Sequence, residues 1–359
     1  MKRFLAAIAT SALLIAGCGG QAEPNPEPTT EAVVEPTPEP TPEPTPEPTP
    51  EPTPEPTPEP APTVWPLTGE ALDDPEELEE SPVVGIKVEN STAARPWVGL
   101  QAADIVFVEM VEGGITRFHA VYNSEFPDVV GPVRSLRPMD AAILGQWEST
   151  LLASGGQPAF IQRVESAVGL RTLDNGDAGF YRERSRRAPH NAMVDLTTVV
   201  PTLEVGDEVT PFADFAGEGA PSSADGGSAA STLRLTYPGA TSRWDFDQET
   251  GEYARTDGAS ASLEADGTRI TSRNVVVLRV HTQNTGALDA AGNQVPETIL
   301  TGTGELLLFA DGATTTGMWS KGGDNDPFEF TDGSGNPILL APGNTWVELL
   351  PLQGSLSWD

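Results

Sequence analysis

Beyond position 82, apolar runs recur at short intervals, and their spacing predicts most of the architecture. Val83–Val88 reads as a strand, and Asp104–Val111 is nearly continuous apolar sequence, the pattern of a strand covered on both faces. Gly113-Gly114 offers a two-residue turn into Ile115–Tyr122, which predicts a hairpin. With those glycines as the turn, Glu112 faces Ile115 and Met110 faces Arg117. Glu112, Met110, Arg117 and His119 then share one face, and a diagonal Glu112–Arg117 pair is either a binding site or an ion pair at the sheet margin. A helix is predicted over 138–150, a short strand over 151–154, a second helix over 159–168 and a third apolar-periodic segment over 192–203. Strands alternating with helices predict an α/β-type domain over 82–205.

Segment 206–231 is dense in glycine and serine around Ala220-Pro221 and reads as a linker. The remainder, 232–359, alternates short apolar runs with turn signals. Strands are predicted over 232–237, 243–246, 252–255, 274–282, 305–310 and 345–350, a mostly β domain. The fold class predicted for the whole is α+β.

The first 81 residues follow different rules. Lys2 and Arg3 precede an apolar run from Phe4 to Leu14, and Ile15-Ala16-Gly17-Cys18 follows. The run ending at Ala16 is too short to span a hydrocarbon layer of about 30 Å. Small residues directly before the chain's one cysteine resemble a bacterial lipobox, so residues 1–17 are read as a lipoprotein signal peptide and Cys18 as the lipidated residue. Two acyl chains on such a cysteine give stable anchoring where one would not. Glu35-Pro36-Thr37-Pro38 repeats six times to Pro58 and then frays. Proline at every second position forbids helix and ladder and favours polyproline II. Residues 35–62 would then reach about 87 Å, at roughly 3.1 Å per residue. Residues 18–81 are thus read as an anchored acidic spacer, which places the rest on the cell surface or in the periplasm.

Charge sharpens the division. The chain carries 53 acidic and 20 basic residues, a net −33. That excludes a nucleic-acid binder working through a basic face. Residues 95–187 hold 10 basic and 11 acidic side chains, whereas 188–359 hold 7 and 24. A single cysteine excludes a disulfide framework and a cysteine zinc site. The three histidines lie in separate segments, Gly-x-Ser-x-Gly and Walker motifs are absent, and Asp332-x-Ser334-x-Asn336 lacks the glycine and glutamate of a calcium loop, so neither cofactor nor metal is expected.

The remaining chemistry is cationic. Gly131–Pro138 sets Arg134 and Arg137 just before a predicted helix, and Tyr181–Asn191 adds Arg182, Arg184, Arg186, Arg187, His190 and Asn191. Arginine forks match phosphate and carboxylate. The two loops are expected to meet and, with Arg117 and Asn191, to line one positive concave surface. Two roles remain open at this level: an anion site, or internal contacts with acids of the 232–359 domain. His190 is the one candidate for general acid or base.

These loops also carry a family resemblance. Asn90-Ser91, Ala94-Arg95-Pro96, Val111–Phe118, Val130–Ser135 with Arg137, Ser154-Gly155-Gly156, and Arg182, Arg186 and Ala188–Asn191 look like the YerB-type lipoproteins, over about 82–200. The later half resembles the companion C-terminal domain through Asn274–Val277, Gly302-Thr303-Gly304 and Gly317-Met318-Trp319. The resemblance implies a bacterial, lipid-anchored, two-domain protein of unknown function and supplies no reaction. The expected partners are the membrane through Cys18 and either an anionic envelope polymer or another envelope protein. The alternative is an envelope enzyme acting on a phosphate- or carboxylate-bearing polymer.

Overall fold

Three strands organise the chemistry: β1 (Val83–Glu89), β2 (Ile105–Met110) and β3 (Thr116–Tyr122), all three buried along their whole length. β1 and β2 flank β3 as antiparallel neighbours. In this computed structural model the described residues are 63–206 and 208–359, and the leader, Cys18 and the Glu-Pro-Thr-Pro repeat lie outside them.

The central sheet runs Glu329–Thr331, Ala313–Lys321, Gly302–Ala310, Asn274–Leu288, Thr345–Pro351, β2, β3, β1, Ser149–Ala153, Gly169–Thr172. Strand Thr345–Pro351 lies parallel to both β2 and Asn274–Leu288, so it joins the two sequence halves edge to edge. The expected domains 82–205 and 232–359 therefore share one sheet, and the described residues form one compact unit. Segment 206–231 is not a free linker. Phe212 is fully buried, its ring 5.8 Å from Phe107, and the Ala216 amide donates to the Leu340 carbonyl. Apolar residues spaced among the glycines are enough to seat it.

Alternation along the strands feeds two cores. Val84, Ile86, Val88, Val106, Val108 and Phe118 face a second sheet, built from Thr232–Thr236, Thr241–Asp247, Glu252–Asp257 and Ser355–Trp358. Ile105, Phe107 and Val121 face the opposite side, where helices Asp140–Leu144 and Pro158–Glu165 pack. The helix predicted over 138–150 stops at Leu144. There Gly145 closes it, with its α-carbon against the Asp324 carbonyl, and the chain enters the Ser149–Ala153 strand.

The hairpin register also differs from expectation. Val111 through Ile115 form a five-residue connection, in which the Val111 amide donates to the Ile115 carbonyl. Met110 accordingly faces Thr116, and Glu109 faces Arg117. A one-residue slip exchanges the faces. Glu109 joins Arg117 and His119, and Met110 leaves them.

Candidate functional site

On the helix-side face of β1–β3 the apolar pattern is broken at every second position by charge. Lys87 and Glu89, Glu109, and Arg117 and His119 form a checkerboard across three strands. Burying such groups costs several kcal/mol unless each finds a partner. Lys87 Nζ binds a Glu109 carboxylate oxygen and lies 2.6 Å from Asp140 Oδ1, with all three side chains fully buried. His119 Nδ1 donates to the same Asp140 oxygen at 2.8 Å, burial lowers its basicity against the pull of Asp140, and its buried Nε2 is unpartnered. Gly85 keeps this row open, because a Cβ there would stand 2.4 Å from Leu144 and 2.6 Å from His119 Nε2.

The arginine-bearing loop 131–138 completes the cluster. Beyond Ile86 the strand neighbouring β1 ends, and the loop takes its place: the Glu89 amide donates to the Pro132 carbonyl and the Arg134 amide to the Lys87 carbonyl. Arg117 is 7 % exposed and donates to the Ser135 carbonyl at 2.7 Å, so it lies beneath the surface rather than on it. Burial beside Arg137 pulls its pKa down to about 10. Arg137 grips Glu112 in a two-bond fork, both contacts 2.7 Å, and is itself buried. The expected Glu112–Arg117 pair is replaced by Glu112–Arg137, because the five-residue turn carries Glu112 out of the ladder. Arg117, Arg137 and Glu112 thus form scaffold beneath the loop.

Arg134 and His190 meet on one carboxylate. Glu89 Oε1 accepts from His190 Nδ1 at 2.7 Å and from Ser91 Oγ at 2.7 Å, and Arg134 Nε lies 3.6 Å from Oε2. Glu89 is 6 % exposed, His190 24 % and Arg134 27 %. The carboxylate fixes His190 through Nδ1, and the side chain stays partly exposed. Arg186 ties the second loop down, donating to the Ala94 and Pro96 carbonyls at 2.8 and 2.7 Å. Arg182 donates to Asn191 Oδ1 at 3.0 Å. Arg184 and Arg187 are exposed and have no ion-pair partner among the described residues. Among the described residues the carboxylates in direct contact with the loops' cations, Glu89 and Glu112, both come from the first half, and from 232–359 the Asp289 charge acts on Arg137 through space.

Lys87, Glu89, Glu109 and Asp140 were not among the site residues expected from the sequence. For the three strand residues the signal was there, ionisable side chains inside otherwise apolar strands, whereas Asp140 opens a helix. The Asp332 loop is a turn in which the Asp332 carboxylate accepts the Ser334 and Asn336 amides. No cluster of three or more metal-type ligands occurs among the described residues. None of their helices is long and apolar enough to cross a membrane.

Comparison with known proteins agrees with this layout. Residues 67–207 match the model described as "Protein of unknown function (DUF3048) N-terminal domain", and 233–347 match its C-terminal domain. The chain is 27 % identical over 300 residues to "Putative lipoprotein YerB" of Bacillus subtilis (strain 168), covering 80 % of this chain and 86 % of that one. A crystal structure of YerB protein from Bacillus subtilis shares the fold, with a TM-score of 0.70 at 23 % identity over 82 % of this chain and 99 % of that one. The chain belongs to this YerB-like family.

Proposed function

We propose that this protein is a lipid-anchored extracytoplasmic component of the cell envelope that binds an anionic polymer over its two arginine loops. The observation that carries the reading is the convergence of Arg134 and His190 on Glu89, beside a loop whose Arg184 and Arg187 have no ion-pair partner among the described residues. A partly exposed guanidinium and an imidazole held by one buried carboxylate form a pre-oriented pair, in which the guanidinium supplies the donors for an anion. The anchor rests on Ile15-Ala16-Gly17-Cys18 and on the similarity to the Bacillus subtilis protein named as a lipoprotein. The proline-rich spacer would hold the folded unit away from the bilayer.

Polyphosphate and polygalacturonate serve as phosphate- and carboxylate-bearing probes. Arg134→Ala is expected to weaken binding of at least one by about tenfold or more, a change of roughly 1.4 kcal/mol. The melting temperature should stay close to that of the parent. Binding should also fall as salt rises. Equal affinity of parent and variant for both probes sinks the reading. The anchor has its own test. Cys18→Ala should move the exported protein from the membrane pellet to the soluble fraction, and continued pelleting of an exported variant overturns it.

A second reading is favoured by one observation, the Glu89–His190 contact. A carboxylate on Nδ1 that leaves Nε2 free is the arrangement in which histidine serves as general base. Under that reading Arg134 holds the anionic group of the polymer while His190 moves a proton. Parent protein that cleaves neither probe over the pH range 5–8 removes it.

A further inference from the structure

A second opening lies beside the basic loops, on the seam between the two sequence halves. It has a volume of about 710 Å³ and draws its walls from 90–92, Arg95, 115–116, 236–241 and 257–260. That size falls within the roughly 300–1,000 Å³ usual for small-ligand sites. Its floor is fixed by a closed set of bonds. Asn90 Nδ2 donates to Thr116 Oγ1 at 2.8 Å and to Asp257 Oδ1 at 3.2 Å, while Asn90 Oδ1 accepts from Arg95 at 2.9 and 3.2 Å. Arg95 and Asp257 lie 3.6 Å apart, so the floor's charges cancel.

One wall depends on two backbones touching. The Gly239 amide donates to the Gly114 carbonyl at 2.9 Å, and Gly114 sits at φ +75° with Gly239 only 2.8 Å from where a Cβ would be. The walls are rich in hydroxyls. Thr92, Thr236, Thr241 and Ser260 are exposed, and their hydroxyls bond to no described protein group. Ile115, 41 % exposed, supplies an apolar rim. Ser91 lines the cleft and also donates to Glu89, so the opening adjoins the basic loops without containing Arg134 or His190.

We propose that this cleft binds a neutral glycan segment. The floor's amide and carboxylate are saturated by these bonds and carry no net charge, so they set the shape of the cleft rather than contact the ligand. Recognition falls to the free threonine and serine hydroxyls of the walls, donors and acceptors suited to sugar hydroxyls, while the Ile115 rim covers the C–H face of a ring. A floor that is already fully bonded pays little ordering entropy when ligand arrives. An anion would find no uncompensated positive charge there, which separates this site from the arginine loops. A polymer carrying both sugars and anionic groups could occupy both.

The test is calorimetric titration with three neutral tetrasaccharides: β-1,4-linked N-acetylglucosamine, β-1,4-linked glucose and α-1,4-linked glucose. At least one should bind the parent protein. Ala259→Trp, at an exposed position on the rim, should weaken that binding by about tenfold or more. Thr241→Val, which removes one free hydroxyl, should weaken it less. Both variants should melt with the parent, and Arg134→Ala should bind the sugar as the parent does. Failure of all three sugars to bind overturns the proposal, as does affinity unchanged in both Ala259→Trp and Thr241→Val. Loss of sugar binding in Arg134→Ala would move the ligand to the arginine loops and overturn the cleft assignment while leaving the anion reading intact.

Discussion

Lys87→Met should cost the folded protein about 3–5 kcal/mol, the loss seen when one partner is removed from a buried ion pair. The ammonium lies between Glu109 and Asp140, with all three side chains fully buried. Methionine fills the volume but leaves two carboxylates facing each other under a packed helix. Urea unfolding of parent and variant measures the effect, and a variant as stable as the parent removes the ion cluster from the list of what holds the sheet together. The same cluster predicts a pH dependence. Burial, opposed by Lys87 and reinforced by Asp140, pushes the Glu109 carboxyl up to about 7. Burial opposes ionisation of Asp140 as well, but Lys87 and His119 hold it well below the usual carboxylate range. A raised carboxyl pKa means the folded state prefers the protonated form. The contribution of Glu109 is thus full below about 4.5 and lost as pH rises through about 7. The contribution of Asp140 has the opposite sign and is lost as pH falls below the ordinary carboxylate value. Their joint optimum lies between those limits. Glu109→Gln should therefore gain on the parent between pH 5 and 8, and parallel stability profiles would refute the assignment.

What could be read along the chain, and what could not, follows from the range of the forces involved. The strands at 83–88, 104–111 and 274–282 were legible because a buried strand writes its environment into consecutive residues. The hairpin was legible, but its register was not. Gly113-Gly114 satisfies a two-residue turn equally well, and only the bond between Val111 and Ile115 sets the connection at five residues. The meeting of the arginine loops was anticipated, yet the residue on which they meet was not. Glu89 reads as the polar end of a strand until β3 sets Arg117 beside it. Nor could local pattern reveal that Thr345–Pro351 inserts against β2, since parallel pairing over more than two hundred residues leaves no nearby trace. That one strand explains why two units of different charge share a sheet, and why segment 206–231, glycine-rich as it is, has a core to pack against.

Arg255→Met should be as damaging as Lys87→Met, for a reason that reaches across the whole molecule. Arg255 is fully buried, with Nη1 2.6 Å from Glu348 and a two-bond fork on Asp257 at 2.9 and 3.0 Å. Its guanidinium carbon lies 5.1 Å from the ring centre of Phe118, 5.0 Å from Trp244 and 4.7 Å from Trp346. Those rings belong to β3, to the second sheet and to the inserted strand. One cation therefore packs against both sheets and against the strand that joins the halves, and cation–π contacts of this desolvated kind reach about 2 kcal/mol. Burial works against the charge, but Asp257 and Glu348 outweigh it and hold the guanidinium above its ordinary pKa. Glu348 also accepts from Tyr237 at 2.7 Å and Trp244 at 2.9 Å, so it would keep partial hydrogen bonding without Arg255. Asp257 would keep Ser262 and Asn90, with Arg95 at 3.6 Å as its remaining ion-pair partner among the described residues. The unpaired charge should cost about 3–5 kcal/mol. At roughly 2–4 °C per kcal/mol, melting should fall by at least about 6 °C. Arg255→Lys keeps the charge but not the fork or the planar stacking, and it should fall between parent and Arg255→Met. A lysine variant equal to the parent would mean that charge alone matters here. A methionine variant that melts with the parent would mean that apolar packing, not the ion network, joins the halves.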